Sequence, residues 1–161
     1  MTASPTSRPS MERPRRGCSA AMDHLARAQA LARSAHAGQV DKSGAPYIEH
    51  LAFVAAHVDG DDAKTVAWLH DIVEDTTVTL DDLRREGFPE HIVAAVDAHT
   101  HRAGEEYLDY VRRAAANPLA RKVKTQDVLH NMDLSRLESV GPADVDRLHR
   151  KYIPALRILV G

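Results

Sequence analysis

Apolar residues recur at steps of three and four along most of this chain, which is the spacing of one face of an α-helix. The first such run contains Leu25, Ala28, Leu31, Ala32 and Ala35, and it predicts a helix from about residue 23 to the glycine at residue 38. No segment alternates apolar and polar residues for long enough to predict a strand. The pattern therefore predicts an all-α fold.

Turn-forming and capping residues mark where the later helices begin and end. Residues 38–46 contain two glycines and a proline, so they are predicted to form a loop. Thr79 is followed three residues later by Asp82, which is close to a capping box and predicts a helix start. Further helices are predicted for residues 47–58, 63–75, 89–100, 105–116, 118–131 and 143–160, the last with a kink at Pro154.

The beginning of the chain differs in composition from the rest. Residues 1–21 are rich in proline, serine and arginine and lack periodic apolar positions, so they bury too little surface to offset the entropy lost on ordering. We predict that they form a disordered basic tail, a dispensable extension. Residues 22–161 are predicted to form one helical domain, with Met22 as its natural beginning.

Length, charge and cysteine content narrow the class of protein. A chain of 161 residues suits one domain with its own core. Its 21 basic and 23 acidic side chains give a formal net charge of −2, which does not favour nucleic acid or an anionic membrane as a partner. Cys18 is the single cysteine, and no apolar run is long enough for a membrane span. We therefore predict a cytoplasmic protein, and its oligomeric state stays open.

Candidate chemistry concentrates in residues 68–75, WLHDIVED. In a continuous helix His70 would lie one turn from Glu74, and Asp71 one turn from Asp75. Burying these carboxylates on the flank of an apolar helix would be costly without a compensating cation, so the segment favours a divalent metal site. The alternative is a solvated acidic helix face with an incidental histidine.

Two more segments supply residues of the same kind. His50 follows the loop at residues 38–46, and Asp127 lies one turn before Asn131 in a later predicted helix. The candidate ligand set is then two imidazoles and two carboxylates from three helices: His50, His70, Asp71 and Asp127. Such a set leaves coordination positions for water and substrate, which hydrolytic metal sites require.

Three stretches of the chain resemble the hydrolase domain of the RelA/SpoT proteins and of the small stand-alone SpoT homologues, which are HD-superfamily enzymes. They are HAGQVDKSGAPYIEH (residues 36–50), WLHDIVEDT (68–76) and VKTQDVLHNM (123–132). The resemblance covers about residues 22–137. It implies a single-domain HD-type helical bundle in which the four candidate ligands bind one metal ion between the helices, usually Mn²⁺.

The same resemblance implies a reaction and roles for individual residues. Glu74 and Asp75 would be the catalytic carboxylates that orient or deprotonate the attacking water. The implied reaction is removal of pyrophosphate from the 3′ position of guanosine tetra- or pentaphosphate, a phosphorylated nucleotide. The implied substrate contacts are Lys42 and Ser43 in the loop, Tyr47 and Asn131.

The chain departs from the family pattern around the substrate rather than around the metal. Asp41 and Val128 stand where the family usually has arginine, and Leu134 follows Asp133 where it commonly has Arg-Thr. These changes predict altered substrate contacts, for which Arg147 in the last helix is a candidate replacement cation.

Two alternatives therefore stay open for the function. One is an HD phosphatase of another phosphorylated nucleotide, such as the 2′-phosphate of NADPH. The other is a non-catalytic nucleotide-binding module. Retention of Glu74 and Asp75 favours an enzyme, because a binding module does not need carboxylates that activate water.

Overall fold

A computed structural model describes the backbone of residues 19–161 and the side chains from residue 24 onward. Residues 1–18 of the predicted basic tail, including Cys18, lie outside the described residues, so the prediction of a tail stays a prediction. The backbone of residues 19–22, which includes Met22, is helical. Within the described range the regular elements are helices, accompanied by one isolated antiparallel bridge between Val40 and Pro46. The prediction of an all-α fold is confirmed.

The helices follow one another with short connections. In chain order they are α1 (Ser19–Ala35), α2 (Tyr47–Ala56), α3 (Asp61–Leu69), α4 (Ile72–Asp75), α5 (Leu80–Arg85), α6 (Glu90–His99), α7 (Tyr107–Ala115), α8 (Pro118–Met132), α9 (Pro142–Arg147) and α10 (Ile153–Val160). A 3₁₀ turn, Leu134–Arg136, follows α8, and a π-helical turn, Leu148–Tyr152, joins α9 to α10.

Local capping chemistry explains several helix starts. Thr79 and Asp82 form a reciprocal capping box at the start of α5, as predicted. At α8 the side chain of Asn117 accepts hydrogen bonds from the backbone N–H groups of Leu119 and Ala120, both at 3.1 Å. Pro118 fits the next position because its missing N–H would have no partner in the first turn of a helix.

The predicted continuous helix over residues 63–75 is wrong. The chain breaks at His70 and Asp71, where Asp71 has φ −104° and ψ 1°, and a single further turn forms α4. Successive side chains of a straight helix point about 100° apart, so a straight helix would direct the side chains of His70 and Asp71 away from a common point. The break lets the Asp71 carboxylate come within 3.0 Å of the His70 ring nitrogen Nε2.

The last predicted helix is interrupted before Pro154 rather than kinked at that residue alone. In the π turn the N–H of Ile153 donates to the carbonyl of Leu148, five residues earlier. Pro154 has no N–H to continue the helical ladder, so the irregular turn lies where that ladder is already incomplete. The turn also places Tyr152 in the core.

Helix α8 lies between two apolar clusters. Val123 belongs to the larger cluster, built mainly from α1, α2, α3 and α6, whereas Val128 belongs to the smaller one with residues of α7 and α10. The buried polar face of α8, with Lys124 and Asp127, is located where these clusters meet. Among the helices of residues 19–161, none has both the length and the hydropathy that crossing a bilayer requires.

Candidate metal centre and substrate cavity

Three buried side chains from separate helices converge at the centre of the fold. His50 comes from α2, His70 follows the end of α3, and Asp127 comes from α8; their candidate ligand atoms all lie within 4.8 Å of one another. The Asp127 Oδ1 atom is 3.2 Å from His50 Nε2 and 4.0 Å from His70 Nε2. Two nitrogens and one carboxylate oxygen therefore face a common point, as the sequence predicts.

Asp71 completes the predicted set of four. Its Oδ2 atom lies 3.0 Å from His70 Nε2 and 3.9 Å from His50 Nε2. The hydroxyl of Tyr47 donates a hydrogen bond to the same Oδ2. Tyr47 thus holds the carboxylate in place at the rim of the site. The structure brings all four candidate ligands together, and their role as ligands stays a prediction.

The hydrogen bonding of His70 fits a bound cation. Its Nδ1 lies 2.6 Å from the carbonyl oxygen of Ala67, so Nδ1 carries a proton and donates it. The ring is fully buried, and its Nε2 faces two carboxylate oxygens, Asp71 Oδ2 at 3.0 Å and Asp127 Oδ1 at 4.0 Å. A nitrogen that faces two buried carboxylates carries a proton or meets a cation, and a histidine ligand commonly donates its other N–H to a carbonyl. The donor set suits a divalent metal ion.

Without such an ion, protonation and ion pairing balance the buried charges. Burial alone would lower the pKa of His70, but the carboxylates of Asp71 and Asp127 raise it to about 9. Burial would raise the pKa of Asp127, but the ammonium of Lys124 and the neighbouring His50 hold it well below its usual range. A cation entering the site must therefore displace a proton from His70.

Glu74 and Asp75 lie on α4 and have different hydrogen-bond neighbours. The Oε1 atom of Glu74 accepts the backbone N–H of His101 at 2.5 Å, whereas the carbonyl of Asp75 accepts the side-chain amide of Gln39 at 2.9 Å. Both carboxylates reach solvent. Partial burial raises the pKa of each, and the Asp71 carboxylate raises both further. Both groups therefore lie close to the candidate ligand Asp71, and their catalytic roles stay predictions.

Sequence reasoning missed two buried residues beside Asp127. The ammonium of Lys124 lies 2.7 Å from Asp127 Oδ2, and both side chains are less than a tenth exposed. His99 is fully buried, its Nε2 has no hydrogen-bond partner within the described residues, and it lies 3.9 Å from the same oxygen. Helical spacing could have indicated both: Lys124 precedes Asp127 by three residues, and His99 follows the buried Val96 by three.

A cavity of about 300 Å³ opens beside His50. It collects the predicted substrate contacts from the loop, α2, α8 and α9, together with Asp41, Asp133 and Leu134, at which the chain departs from the family. Its lining includes Asp41, Lys42, Ser43, Tyr47, Asn131, Asp133, Leu134, Arg136, Arg147 and Tyr152. Because His50 belongs to both the cavity and the metal-type cluster, a molecule bound here would reach the candidate metal.

Several cavity residues already have protein partners. Asn131 Nδ2 donates to Asp127 Oδ1 at 2.7 Å, so Asn131 also orients a candidate ligand. The Ser43 hydroxyl donates to Asp41 Oδ1 at 2.6 Å and helps to hold the loop. Arg147 pairs with Asp144 at 3.1 Å. These contacts position the lining groups before any ligand arrives.

The departures from the family pattern have distinct structural roles. The second oxygen of Asp41 pairs with the guanidinium of Arg136, which also donates to the carbonyl of His130 at 3.1 Å. Arg136 thus neutralises the unexpected anion. Val128 is buried in the smaller apolar cluster and is not among the residues that line the cavity, so this position gives the cavity no polar group. Leu134 does line the cavity.

The helical fold and the buried His–His–Asp cluster define the class of protein, an all-α domain of the HD type. No family model matches the chain. It is similar to a GTP pyrophosphokinase of Streptomyces coelicolor, with 37% identity over 125 residues, which cover 70% of this chain and 15% of that protein. A probable guanosine-3′,5′-bis(diphosphate) 3′-pyrophosphohydrolase of Synechocystis is 31% identical over 79% of this chain and 18% of its own length.

A solved structure shares the fold. It belongs to a metazoan orthologue of SpoT that hydrolyses ppGpp, with a TM-score of 0.70, 22% sequence identity and coverage of 86% of each chain. By sequence and fold the chain is a RelA/SpoT-type HD domain. It spans less than a fifth of the length of the sequence relatives named above.

Proposed function

We propose that this chain is a metal-dependent phosphohydrolase that removes the 3′-pyrophosphate of guanosine tetra- or pentaphosphate. The observation that carries the proposal is the position of His50, which joins a buried His–His–Asp cluster to a cavity whose lining includes the cations Lys42, Arg136 and Arg147 as well as three carboxylates. The names of several relatives, which include 3′-pyrophosphohydrolases, support the same reaction. A cytoplasmic location and the lack of a nucleic-acid partner stay predictions.

In this proposal His50, His70, Asp71 and Asp127 hold one divalent ion, with Mn²⁺ as the first candidate. When bound, the ion would polarise a phosphoryl oxygen and lower the pKa of a water molecule. The His70 Nε2 atom, which faces the carboxylates of Asp71 and Asp127, and the short His50–Asp127 distance support the ligand roles.

Glu74 and Asp75 are proposed as the carboxylates that orient the attacking water and accept its proton. Their pKa values are raised by partial burial and by Asp71, which brings them closer to the working pH of a general base. The hydrogen bond from the His101 backbone fixes one oxygen of Glu74 and leaves the other oxygen for water. The chain's own residues thus supply the proton acceptor.

Substrate contacts are proposed for the cavity. Lys42 and Arg147 carry the positive charge that phosphate groups require, and Tyr47 offers an aromatic ring at the rim. Ser43 and Asn131 are polar groups on the same lining. Their existing bonds keep them in position, which lowers the entropic cost of binding.

A second substrate class deserves a test of its own. Leu134 and Asp133 line the cavity where the family commonly has Arg-Thr, so the contacts to the nucleotide differ from the family pattern. An HD phosphatase acting on another nucleotide, such as NADPH, would use the same metal and carboxylates. The product distinguishes the two: pyrophosphate from the guanosine alarmone, or orthophosphate from the other nucleotide.

The experiment is a nucleotide panel assayed with Mn²⁺ on wild type and on Glu74→Gln/Asp75→Asn. We expect pyrophosphate release by the wild type, and loss of turnover in the double variant with Mn²⁺ still bound in a direct metal titration. The control is Asp59→Asn/Glu138→Gln, which removes two exposed carboxylates outside the cavity. Full turnover by the double variant would refute the roles of these carboxylates. A nucleotide that stabilises a wild type unable to hydrolyse any member of the panel would instead indicate a binding module.

A further inference from the structure

Lys151 is a half-buried cation held between aromatic rings. It lies on the π turn, and its ammonium nitrogen is 4.5 Å from the centroid of the Tyr107 ring and 5.5 Å from that of Tyr152. Tyr152 lines the cavity, as Lys42 does, whereas Lys151 itself lies next to Tyr152 and outside the lining. Ring faces attract the charge and restrict the long side chain, and the ammonium is therefore already ordered.

The charges around Lys151 are mostly positive. Burial, Lys124 and Lys42 all lower its pKa, Arg147 acts in the same direction, and Asp127 opposes them. Lys124 is bonded to Asp127, and Arg147 is paired with Asp144. Within residues 24–161, Lys151 forms no ion pair with a carboxylate. A partly desolvated ammonium among other cations is unfavourable on its own, and an anion relieves that cost.

We propose that Lys151 and Lys42 form an anion subsite at the mouth of the cavity, which takes a phosphate or pyrophosphate group of the substrate. The inference rests on the proposed function for the identity of the substrate. The anion subsite itself follows from an ammonium that is held against the rings of Tyr107 and Tyr152 without a carboxylate partner in the described residues, next to a cavity that Lys42 lines. Lys151 would then supply positive charge from the C-terminal segment, where loop residue Asp41 contributes none.

The neighbouring Arg150 shows why position matters more than charge. Arg150 is exposed and is already paired with Asp146 at 2.5 Å. It lies one residue from Lys151 but on the solvent side of the same turn. Removing the charge of Arg150 therefore changes the net charge as much as removing that of Lys151 does, but leaves the proposed subsite unchanged.

Inorganic pyrophosphate is the probe for the test. It is titrated calorimetrically into the metal-loaded protein and into chelator-treated protein, for wild type, Lys151→Met, Lys151→Arg and Arg150→Met. We expect Lys151→Met to weaken pyrophosphate binding about tenfold in both preparations, which corresponds to about 1.4 kcal/mol. Lys151→Arg should restore most of the affinity, and Arg150→Met should bind as wild type does. The melting temperature of each variant reports folding, and Lys151→Gln replaces any methionine variant that does not fold.

The outcomes separate this inference from the proposed function. Equal pyrophosphate affinity in Lys151→Met and wild type would overturn the anion subsite, whatever the enzyme hydrolyses. Equal weakening by Arg150→Met would also overturn it, because the effect would then be one of net charge. A wild type that hydrolyses nothing, but loses pyrophosphate affinity only in Lys151→Met, would refute the reaction and support the subsite. In an active enzyme we expect the Lys151→Met change to raise KM more than it lowers kcat.

Discussion

The buried pair of Lys124 and Asp127 offers the sharpest test of how the metal centre is stabilised. The Lys124 ammonium is 2.7 Å from Asp127 Oδ2, and the two side chains are 8% and 7% exposed. Lys124→Met keeps the length and the apolar stem of the side chain but removes its charge. Asp127 would then keep the hydrogen bond from Asn131 on its other oxygen and lose its cationic partner.

The expected loss of stability follows from this geometry. Two unit charges at this separation attract by about 6 kcal/mol at an effective dielectric constant of about 20. The cost of desolvating the two groups offsets part of that attraction, and removing one partner of a buried pair typically costs about 3–5 kcal/mol. We expect a loss in this range for chelator-treated protein. With Mn²⁺ bound the loss should be smaller by at least about 1 kcal/mol, because the ion compensates the charge of Asp127.

Urea unfolding followed by circular dichroism measures both losses, in chelator and in saturating Mn²⁺. Lys122→Met is the matched control, because Lys122 is exposed on the same helix. Its effect should stay within about 0.5 kcal/mol. The reasoning fails if Lys124→Met costs less than about 1 kcal/mol without metal. It also fails if the two losses are equal, since the metal would then not act on the charge that Lys124 compensates.

Three further outcomes test separate parts of the structure. Glu105→Gln should lower the free energy of unfolding at neutral pH, because hydrogen bonds from Arg113 hold the pKa of Glu105 at about 2. The difference in unfolding free energy between wild type and variant should vanish as pH falls from about 4.5 towards 2, and an acid titration of that free energy measures this. Below about pH 9, Mn²⁺ affinity should rise about tenfold with each unit increase in pH, since the ion displaces a proton from His70. Mn²⁺ titrations in a series of buffers measure this, and an affinity that does not change with pH would contradict it. Asp41→Asn should break the pair with Arg136 and speed amide hydrogen exchange in residues 41–45 without affecting α1.

Signals within a few residues were enough to predict much of the fold. The Thr79 capping box and the start of α8 at Pro118 depend on contacts inside one turn, so the sequence contains all of their determinants. The break at His70–Asp71 could not be predicted in this way. The apolar spacing of Val66, Leu69 and Val73 continues through it, and what favours the break is contact with distant groups such as the Tyr47 hydroxyl.

The site shows the same division between local and distant determinants. The resemblance to known hydrolase domains indicated which residues should converge, and the structure brings His50, His70, Asp71 and Asp127 together. Lys124 was overlooked because a lysine on a helix is usually solvated, and its burial depends on the aromatic rings of α7 that lie over its ammonium. The pairing of Asp41 with Arg136 joins residues 95 apart in the chain, so no local pattern could reveal it.

The charges of the centre also bear on what metal removal does. The sequence suggests that clustered carboxylates repel one another without a metal, yet the structure compensates them internally. Lys124 neutralises one oxygen of Asp127, Asn131 donates to the other, and a proton on His70 faces Asp71. A zinc finger has no comparable internal cations, and it unfolds without its metal. The Lys124 ammonium and the proton on His70 take the place of the cation in this domain. Losing the metal should therefore abolish turnover without unfolding the helices. The stability of the chelator-treated protein should depend chiefly on Lys124.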